Sequence, residues 1–391
     1  VYKRQEEYRL RQEIVLGIGG ARMLHALGFR INTYHMNEGH SALLAVELLH
    51  RFEHEQEMVC PGDSTFDVTD VKERCLFTTH TPVESGHDKF SYELVEQLLD
   101  DYIDINELRK LAGNHNLNMT RLALNLSGYV NGVAKAHAKL SNSMFPGYHV
   151  HAITNGIHPP TWAHASFSQL YDQYLPEWRY QPELLLRADQ LPDEEIWQAH
   201  CLAKQDLIDQ IRKLTGTHLH NELPIIGFAR RMTGYKRPDL LFSDLDRLIE
   251  IAHKYPFQIV LSGKSHPQDD SGKQLIHTLH KHISDLSSQI PVVYLPNYNM
   301  DVALSLVSGS DLWLNTPLRP MEASGTSGMK AALNGVPNLS ILDGWWIEGC
   351  IEGVTGWAIG TETNPESNGS DASHLYEKLQ QTVLPLFHQD R

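Results

Sequence analysis

A dense group of cations stands out in an otherwise acidic chain. Arg230, Arg231, Lys236 and Arg237 fall within eight residues, directly after the strand-like run Pro224–Ala229. Open parallel sheets bind ligands at the carboxyl ends of their strands, and clustered arginine and lysine side chains suit a phosphate dianion. This basic segment therefore predicts an anion site at a strand end. The alternative is a solvated basic start of a helix.

A second segment, Glu322–Lys330, combines several small residues with a single lysine. Small residues let backbone N–H groups approach an anion at a helix N-terminus, where the helix dipole also favours negative charge. Thr326 and Lys330 are four residues apart and share one helix face. Pyridoxal phosphate carries both a phosphate and an aldehyde. Its phosphate could bind the turn of small residues and its aldehyde the amine of Lys330. The cations of the basic segment would lower the pKa of Lys330 and so keep that amine neutral. The alternative is a surface lysine on a capped helix.

Polar residues also gather at other places where strands are expected to end. Asn155 follows the apolar run Tyr148–Ile153, and its amide could reach a sugar hydroxyl or form a turn with the next glycine. Histidine-rich stretches surround His40 and His80 and hold more polar groups than a core requires. These stretches could bind polar ligands, or their side chains could cap helices and form buried hydrogen bonds. No metal site is expected.

The pattern of apolar residues changes near residue 152. Before it, helical spacing prevails in Ser41–Phe52, Tyr92–Ile103 and Met119–Leu140, with strand-like runs at Arg30–Tyr34 and Cys75–Thr79. After it, short apolar runs alternate with amphipathic helices, which predicts an α/β fold with a parallel sheet and two domains, residues 1–152 and 153–391. The polar stretch Glu362–Ser373 is expected to be a surface loop. The strands predicted after residue 152 are Pro224–Ala229, Phe257–Ser262, Pro291–Leu295, Asp311–Asn315 and Pro337–Leu342, and the helices are Pro192–Leu214, Pro238–Lys254, Gly272–Leu286, Met300–Val307, Thr326–Leu333 and Ala372–His388.

Composition excludes several classes of protein. The chain has 391 residues, and its 33 lysines and arginines against 48 aspartates and glutamates give a net charge of −15, which would repel a nucleic-acid backbone. No apolar run reaches the length of about 18 residues that a membrane helix needs. The four cysteines form no C-x-x-C pair, a usage that suits a reducing cytoplasm. We therefore expect a cytoplasmic protein without nucleic-acid or membrane partners.

Taken together, these segments closely resemble the α-glucan phosphorylase family (glycogen, starch or maltodextrin phosphorylases), in its shorter bacterial branch. The resemblance runs from about Glu7 to Phe387 and is most specific in Glu322–Lys330. It implies a fold of the GT-B type, with a partial N-terminal catalytic domain in residues 1–152 and a Rossmann-like parallel-sheet domain that binds pyridoxal phosphate in residues 153–391. The motifs that carry the resemblance are Tyr34–His40, Thr78–Pro82, Asn118–Thr120, Thr154–Gly156, Tyr235–Arg237 and Glu322–Lys330.

The resemblance also implies a role for each candidate site residue. Lys330 would form the imine with pyridoxal phosphate, and Arg231 and Lys236 would hold orthophosphate. Catalytic residues are then Lys330, Arg231, Lys236 and His80. Cofactor-binding residues are Lys330, Gly325, Thr326, Ser327, Arg230 and Tyr298. Substrate-binding residues are Asn155, Glu322, Ser324 and His40. The implied reaction is the retaining transfer of a terminal glucosyl unit from an α-1,4-glucan to orthophosphate, with the cofactor acting through its phosphate group.

Two departures from the family bear on activity. The glycine-rich loop that closes over the phosphates would precede Val1, and a helical tail would follow Arg391, so the chain resembles a fragment that lacks both termini. We expect residues 1–391 alone to turn over poorly, and a homodimer to form through the first domain of a full-length protein. Two rival functions stay open on the residues alone: a nucleotide-sugar glucosyltransferase such as a glycogen synthase, and a carbohydrate-binding fragment without catalytic activity.

Overall fold

The computed structural model describes residues 2–52, 66–83, 86–360 and 368–389, of which the side chains of residues 2–4, 368 and 369 are left out. The chain divides into two compact units, Val1–Thr154 and Asn155–Arg391. Each unit contains its own parallel sheet covered by helices. The predicted α/β class with parallel sheets is thereby confirmed.

The first unit is built on a four-stranded parallel sheet in the order β1-β2-β5-β6. Its inner residues are apolar: Met36 and Phe77 pair across β1 and β2 and are fully buried. A short antiparallel pair, β3 with β4, lies outside this sheet. The strands are β1 Tyr34–Asn37, β2 Cys75–Thr78, β3 Lys89–Ser91, β4 Asn116–Asn118, β5 Tyr129–Gly132 and β6 His151–Ala152. The helices are α1 Tyr2–Ile14, α2 Gly20–Ala26, α3 Leu43–Arg51, α4 Val68–Arg74, α5 Tyr92–Leu99, α6 Ile105–Ala112, α7 Met119–Asn125 and α8 Lys135–Met144.

Two sequence predictions for the first unit are wrong. The segment Met119–Leu140 is not continuously helical, because strand β5 separates α7 from α8. The Gly128 N–H donates to the carbonyls of Lys72 and Cys75, which turns the chain into the sheet, and a short buried run such as Val130–Gly132 has no periodicity that distinguishes strand from helix. The strand expected at Arg30–Tyr34 begins only at Tyr34 and continues to Asn37.

The second unit is built on a six-stranded sheet in the order β12-β11-β10-β7-β8-β9, in which all neighbouring strands are parallel. Five of its strands lie where the sequence predicts them, and β12 was not predicted. Buried strand residues such as Phe228 and Trp313 fill the core between the sheet and its helices. The strands are β7 Ile225–Arg231, β8 Gln258–Lys264, β9 Val292–Leu295, β10 Leu312–Asn315, β11 Asn338–Ile341 and β12 Gly356–Ile359.

The predicted helices of the second unit are observed with differences at two places, and the helices at Pro159–Trp162, Ala165–Tyr174 and Trp346–Gly349 were not predicted. The segment predicted as a helix from Pro238 begins as a short 3₁₀ turn, and the α-helix starts only after Asp244, whose carboxylate accepts the Arg247 N–H as an N-cap. Residues 368–373, expected in a loop, belong to a helix, while residues 361–367 lie outside the described part of the chain. The helices are α9 Pro159–Trp162, α10 Ala165–Tyr174, α11 Asp193–Thr215, α12 Leu245–Lys254, α13 Asp270–Leu286, α14 Met300–Gly309, α15 Thr326–Leu333, α16 Trp346–Gly349, α17 Asn368–Lys378 and α18 Leu384–Gln389.

Candidate active site

The basic segment lies at the carboxyl end of β7, near the centre of the second sheet. The pleat of the strand turns Arg230 inward, where it is buried, and leaves Arg231 exposed. Arg230 Nη2 and Lys236 Nζ each lie 2.6 Å from the same carboxylate oxygen, Oε2 of Glu322. Arg230 Nη1 also donates to the amide oxygen of Asn315, the last residue of the neighbouring strand β10. The two sequence-predicted segments therefore meet at this edge of the sheet.

Burial and charge act together on this group. Burial and the nearby Arg230 charge lower the pKa of Lys236 to about 8, although the Glu322 carboxylate opposes the shift. Burial alone would raise the pKa of Glu322, but Arg230 and Lys236 outweigh it and hold that pKa below its usual value. The cluster thus carries two cations and one anion in a buried setting, where charge interactions are stronger than in water.

Arg231 is placed differently from the other cations. It is the last residue of β7, its side chain is exposed, and no carboxylate in the described part of the chain lies within 4 Å of it. An exposed guanidinium at the carboxyl end of a central strand can bind an anion that arrives from solvent.

The loop that carries Glu322 is held by the turn after β11. Oδ2 of Asp343 accepts the Glu322 N–H at 2.8 Å, and Oδ1 of the same carboxylate accepts the Gly344 N–H at 2.9 Å. The Trp345 N–H donates to the Ser324 carbonyl at 2.9 Å. Burial raises the pKa of Asp343 to about 6. Within the described residues the buried Ser324 hydroxyl has no hydrogen-bond partner, so it remains available to a ligand.

Helix α15 begins at the end of this loop. Gly325 precedes it with φ of 96°, a left-handed conformation that glycine adopts at no steric cost, and no side chain of the described residues caps the first turn. Ser327 Oγ accepts a hydrogen bond from the indole N–H of Trp313 at 3.2 Å, while Thr326 is half-buried. Among the described residues, the first N–H groups of α15 therefore have no side-chain partner. Anions bind at helix N-termini through such N–H groups.

Lys330 is half-buried, and its ammonium lies 3.5 Å from the centroid of the Trp162 ring. No carboxylate of the described chain lies within 4 Å of it. Its pKa is lowered, and the cause is burial. The direction agrees with the prediction from the sequence, but the predicted cause, neighbouring cations, is wrong. Tyr298 is a further, partly buried member of this region: burial raises its pKa and the Arg230 charge opposes the shift.

His80 and His40 lie in the first unit. The carboxylate of Glu38, at the end of β1, accepts the Gly39 N–H at 2.9 Å, the His80 N–H at 2.7 Å and the Thr81 hydroxyl at 2.9 Å. His80 Nε2 lies 2.5 Å from the Asn37 amide oxygen. Burial lowers the pKa of His80, as do the nearby charges of His40 and His35, against the Glu38 carboxylate. Polar side chains are thus collected at the carboxyl ends of β1 and β2.

The remaining predicted residue, Asn155, lies at the start of the second unit between β6 and α9 and is half-buried. No hydrogen bond among the described residues joins its side chain to the Glu322 cluster. Sequence reasoning missed Asp343, Trp162 and Asn315. A signal existed for Asp343 and Asn315, because each stands at or just beyond the end of an apolar strand run, but nothing in the sequence pairs Trp162 with Lys330.

Two further features are absent from the residues that the structure describes. In the described ranges, no group of three or more His, Cys, Asp or Glu side chains is placed to hold a metal ion. None of the helices described here combines the length and the apolar character needed to cross a membrane.

Comparison with known proteins identifies the family. A family model described as carbohydrate phosphorylase matches residues 104–354. The whole chain aligns with a maltodextrin phosphorylase of Thermococcus litoralis at 38% identity and with a glycogen phosphorylase of Aquifex aeolicus at 35%. It aligns over its whole length with a glycogen phosphorylase of Mycobacterium tuberculosis at 33%. The chain covers 50%, 61% and 50% of the length of these three relatives. The chain belongs to the carbohydrate phosphorylase family.

Proposed function

We propose that this chain carries the cofactor site and the phosphate site of an α-1,4-glucan phosphorylase. Its reaction would transfer the terminal glucosyl unit of an α-glucan to orthophosphate and give α-glucose 1-phosphate with retention of configuration. The observation that carries the proposal is the convergence of Arg230 and Lys236 on one oxygen of Glu322, beside the exposed Arg231 and in the loop that leads into α15. Maltodextrin and glycogen phosphorylases among its relatives support the same substrate class.

The second unit fits pyridoxal phosphate on three observations. Among the residues that the structure describes, no side chain caps the first turn of α15, so its N–H groups can receive a phosphate. The buried Ser324 hydroxyl has no partner in the described chain. Lys330 lies on the same helix with a lowered pKa and no carboxylate of the described residues within 4 Å, which favours the neutral amine that binds an aldehyde.

In this proposal the cofactor is held by one short stretch of chain and two side chains outside it. The Lys330 amine would bind its aldehyde, and the backbone of Gly325, Thr326 and Ser327 would bind its phosphate. Arg230 and Tyr298, which lie near one another, would complete the site. When bound, pyridoxal phosphate supplies a phosphate group that can donate and accept a proton next to the substrate phosphate.

The substrates would be bound by the remaining predicted residues. Arg231 and Lys236 would hold orthophosphate, because both cations stand at the end of β7 and the first is open to solvent. Glu322, Ser324 and Asn155 would contact the transferred glucosyl unit. Two residues of the first unit of the protein would take part as well. His80 would contact the transferred glucosyl group, and His40 would lie towards the glucan chain.

The chemistry follows from the charges. The bond from the anomeric carbon to the glycosidic oxygen breaks, orthophosphate gives a proton to the departing oxygen, and an orthophosphate oxygen forms the new bond to the same face of the sugar. Arg231 and Lys236 stabilise the phosphate charge throughout. Glu322 stabilises the positive charge that develops on the sugar. General acid catalysis of this kind contributes about 10²–10⁴-fold, and positioning with charge stabilisation supplies the rest.

A direct test is phosphate-dependent release of glucose 1-phosphate from maltodextrin, measured on the complete reading frame supplied with pyridoxal phosphate. The double variant R231A/K236A should lose at least about 10²-fold in kcat/KM for orthophosphate, since two anion contacts disappear. The control R212A/K213A removes two exposed cations from the last turn of α11 and should leave the rate unchanged. Release that needs a nucleotide-sugar, or that ignores orthophosphate, would reject the proposal.

Three further features of the proposal concern the whole protein. A homodimer is proposed on the family resemblance, a cytoplasmic location on the cysteine usage, and allosteric control again on the resemblance. Sedimentation at several concentrations, microscopy of a tagged protein and kinetics with nucleotide effectors test them in that order.

A further inference from the structure

A buried carboxylate on α17 contacts the basic segment from outside the site described above. Asp371 is 8% exposed, and its Oδ2 accepts a hydrogen bond from Arg237 Nη2 at 2.7 Å. Its Oδ1 lies 3.6 Å from Arg319 Nη2. One acidic side chain therefore joins the C-terminal part of the chain to the residue that follows Lys236.

Arg237 itself is held in a constrained conformation. Its φ of 44° is left-handed, which a residue with a side chain adopts only when its surroundings enforce it. Besides Asp371, its guanidinium donates to the carbonyls of Thr316 at 3.1 Å and Pro317 at 2.9 Å. The fork of the guanidinium thus spans three acceptors, which a lysine could not reproduce.

The loop after β10 holds the same segment from the other side. The Thr316 hydroxyl lies 3.2 Å from the carbonyl of Lys236 and 2.9 Å from that of Arg237. The Leu318 N–H donates to the Tyr235 carbonyl at 2.6 Å. The backbone on both sides of Lys236 is therefore fixed by hydrogen bonds, and Asp371 supplies the charged end of this network.

We propose that Asp371 is a positioning residue for orthophosphate binding, which orients Lys236 by holding the Arg237 guanidinium against the loop after β10. The inference rests on the proposed function, because it takes Lys236 as a ligand of orthophosphate. Asp371 touches neither substrate nor cofactor in this account. It acts through Arg237, and a displacement of about 1 Å at a binding group is enough to lower its contribution severely.

The sign of the effect separates positioning from simple electrostatics. Removing a negative charge from the neighbourhood of an anion site would, by Coulomb attraction alone, tighten phosphate binding. Loss of positioning weakens it instead. A merely structural role would lower the midpoint of unfolding and the active fraction, while the affinity of the folded protein for orthophosphate would stay the same.

The test is calorimetric titration of orthophosphate into the protein loaded with pyridoxal phosphate. D371N should raise the Kd for orthophosphate about tenfold, the loss expected for one charge-assisted hydrogen bond. The control E377Q removes an exposed carboxylate from the same helix and should leave the Kd unchanged. A D371N protein that is folded and binds orthophosphate as tightly as the wild type, or more tightly, overturns the inference.

A second variant covers the case in which D371N does not fold. D371E keeps the charge and moves the carboxylate by one methylene, so it should fold and still raise the Kd about threefold. A folded D371E with the wild-type Kd counts against positioning. If the wild-type protein itself shows no saturable binding of orthophosphate, the proposed function fails, and that result is distinct from an unchanged Kd in the variants.

Discussion

Glu322 pairs with two cations for which the family resemblance implies separate tasks. The resemblance makes Arg230 a ligand of the cofactor, Lys236 a ligand of orthophosphate and Glu322 a contact of the sugar. In the structure the carboxylate lies 2.6 Å from both cations. Removing one member of such a buried set leaves the others unpaired, which is more costly than losing a surface ion pair. In the proposed site, orthophosphate would bind beside Glu322 or displace it from Lys236.

The lowered pKa of Lys236 predicts how phosphate binding depends on pH. Because that pKa is about 8, the ammonium loses its proton as the pH rises through this value, and the attraction for the anion falls. Affinity for orthophosphate should fall as the pH rises through about 8 and level off once the amine is neutral, with a total loss of about tenfold. Titration calorimetry between pH 7 and 10 measures this dependence.

The matched variant is K236R, which keeps a cation that remains protonated over the whole range. Its affinity should show only the titration of orthophosphate itself and no decline above pH 8. Parallel pH profiles for the wild type and K236R would show that Lys236 is not the titrating ligand.

Residue types could be predicted from the sequence, but their partners could not. Clustered cations and a lysine four residues from Thr326 are visible in the chain, since they depend on local spacing. The hydrogen bond from the Glu322 N–H to Asp343 and the contact of Lys330 with Trp162 join residues 21 and 168 positions apart. Such contacts depend on how distant strands and helices pack together in the fold, which local sequence patterns do not contain.

At the level of elements, the start of α15 depends on how closely it packs against β11. A Cβ added at Gly328 would lie 2.5 Å from Oδ1 of Asn338 and 3.1 Å from the Trp345 ring. Asn338 in turn donates to the Gly328 carbonyl at 3.1 Å. Close packing against Asn338 and Trp345 therefore favours a glycine at position 328, independently of any contact with a ligand.

This packing predicts that Gly328→Ala is destabilising, although alanine is normally the better helix former. The variant should lower the free energy of unfolding of the second unit by about 1–3 kcal/mol, because the neighbouring side chains must move. All seven tryptophans lie in the second unit, so urea unfolding followed by tryptophan fluorescence measures it.

The control is Gly20→Ala in α2, where a new Cβ would meet nothing within 4 Å and the backbone is already helical. It should raise the stability of the first unit by about 0.5–1 kcal/mol, measured by far-UV circular dichroism, and leave the tryptophan transition unchanged. A stabilising G328A would contradict the close packing of α15 on β11.

Strands and helices whose apolar residues form a distinct run could be predicted from the sequence. Short elements that follow one another directly could not. Strands β7 to β11 are apolar runs bounded by polar turns, and α15 was predicted with its observed bounds. In contrast, α7, β5 and α8 follow one another within 26 residues, and their apolar positions merge into one helical pattern. The strand among them is decided by its pairing with β2 and β6, which is a tertiary effect.

At the scale of the molecule, net charge is a poor guide to the ligand. The chain carries a net charge of −15, yet its second unit collects buried or strand-end cations at one edge of a sheet. Local charge decides which anion binds, while the net charge acts on solubility and on long-range encounters. Every residue proposed to hold pyridoxal phosphate lies in the second unit, whereas His40 and His80 lie in the first.

The central claim is that Lys330 and the start of α15 bind pyridoxal phosphate. The most direct measurement is borohydride reduction of the protein incubated with pyridoxal phosphate, followed by peptide mapping. We predict one pyridoxyl label, on Lys330, which is lost in K330R and retained in the control K281R, an exposed lysine on α13. Absence of a label on the wild-type protein, or a label that persists on another lysine in K330R, would contradict the claim.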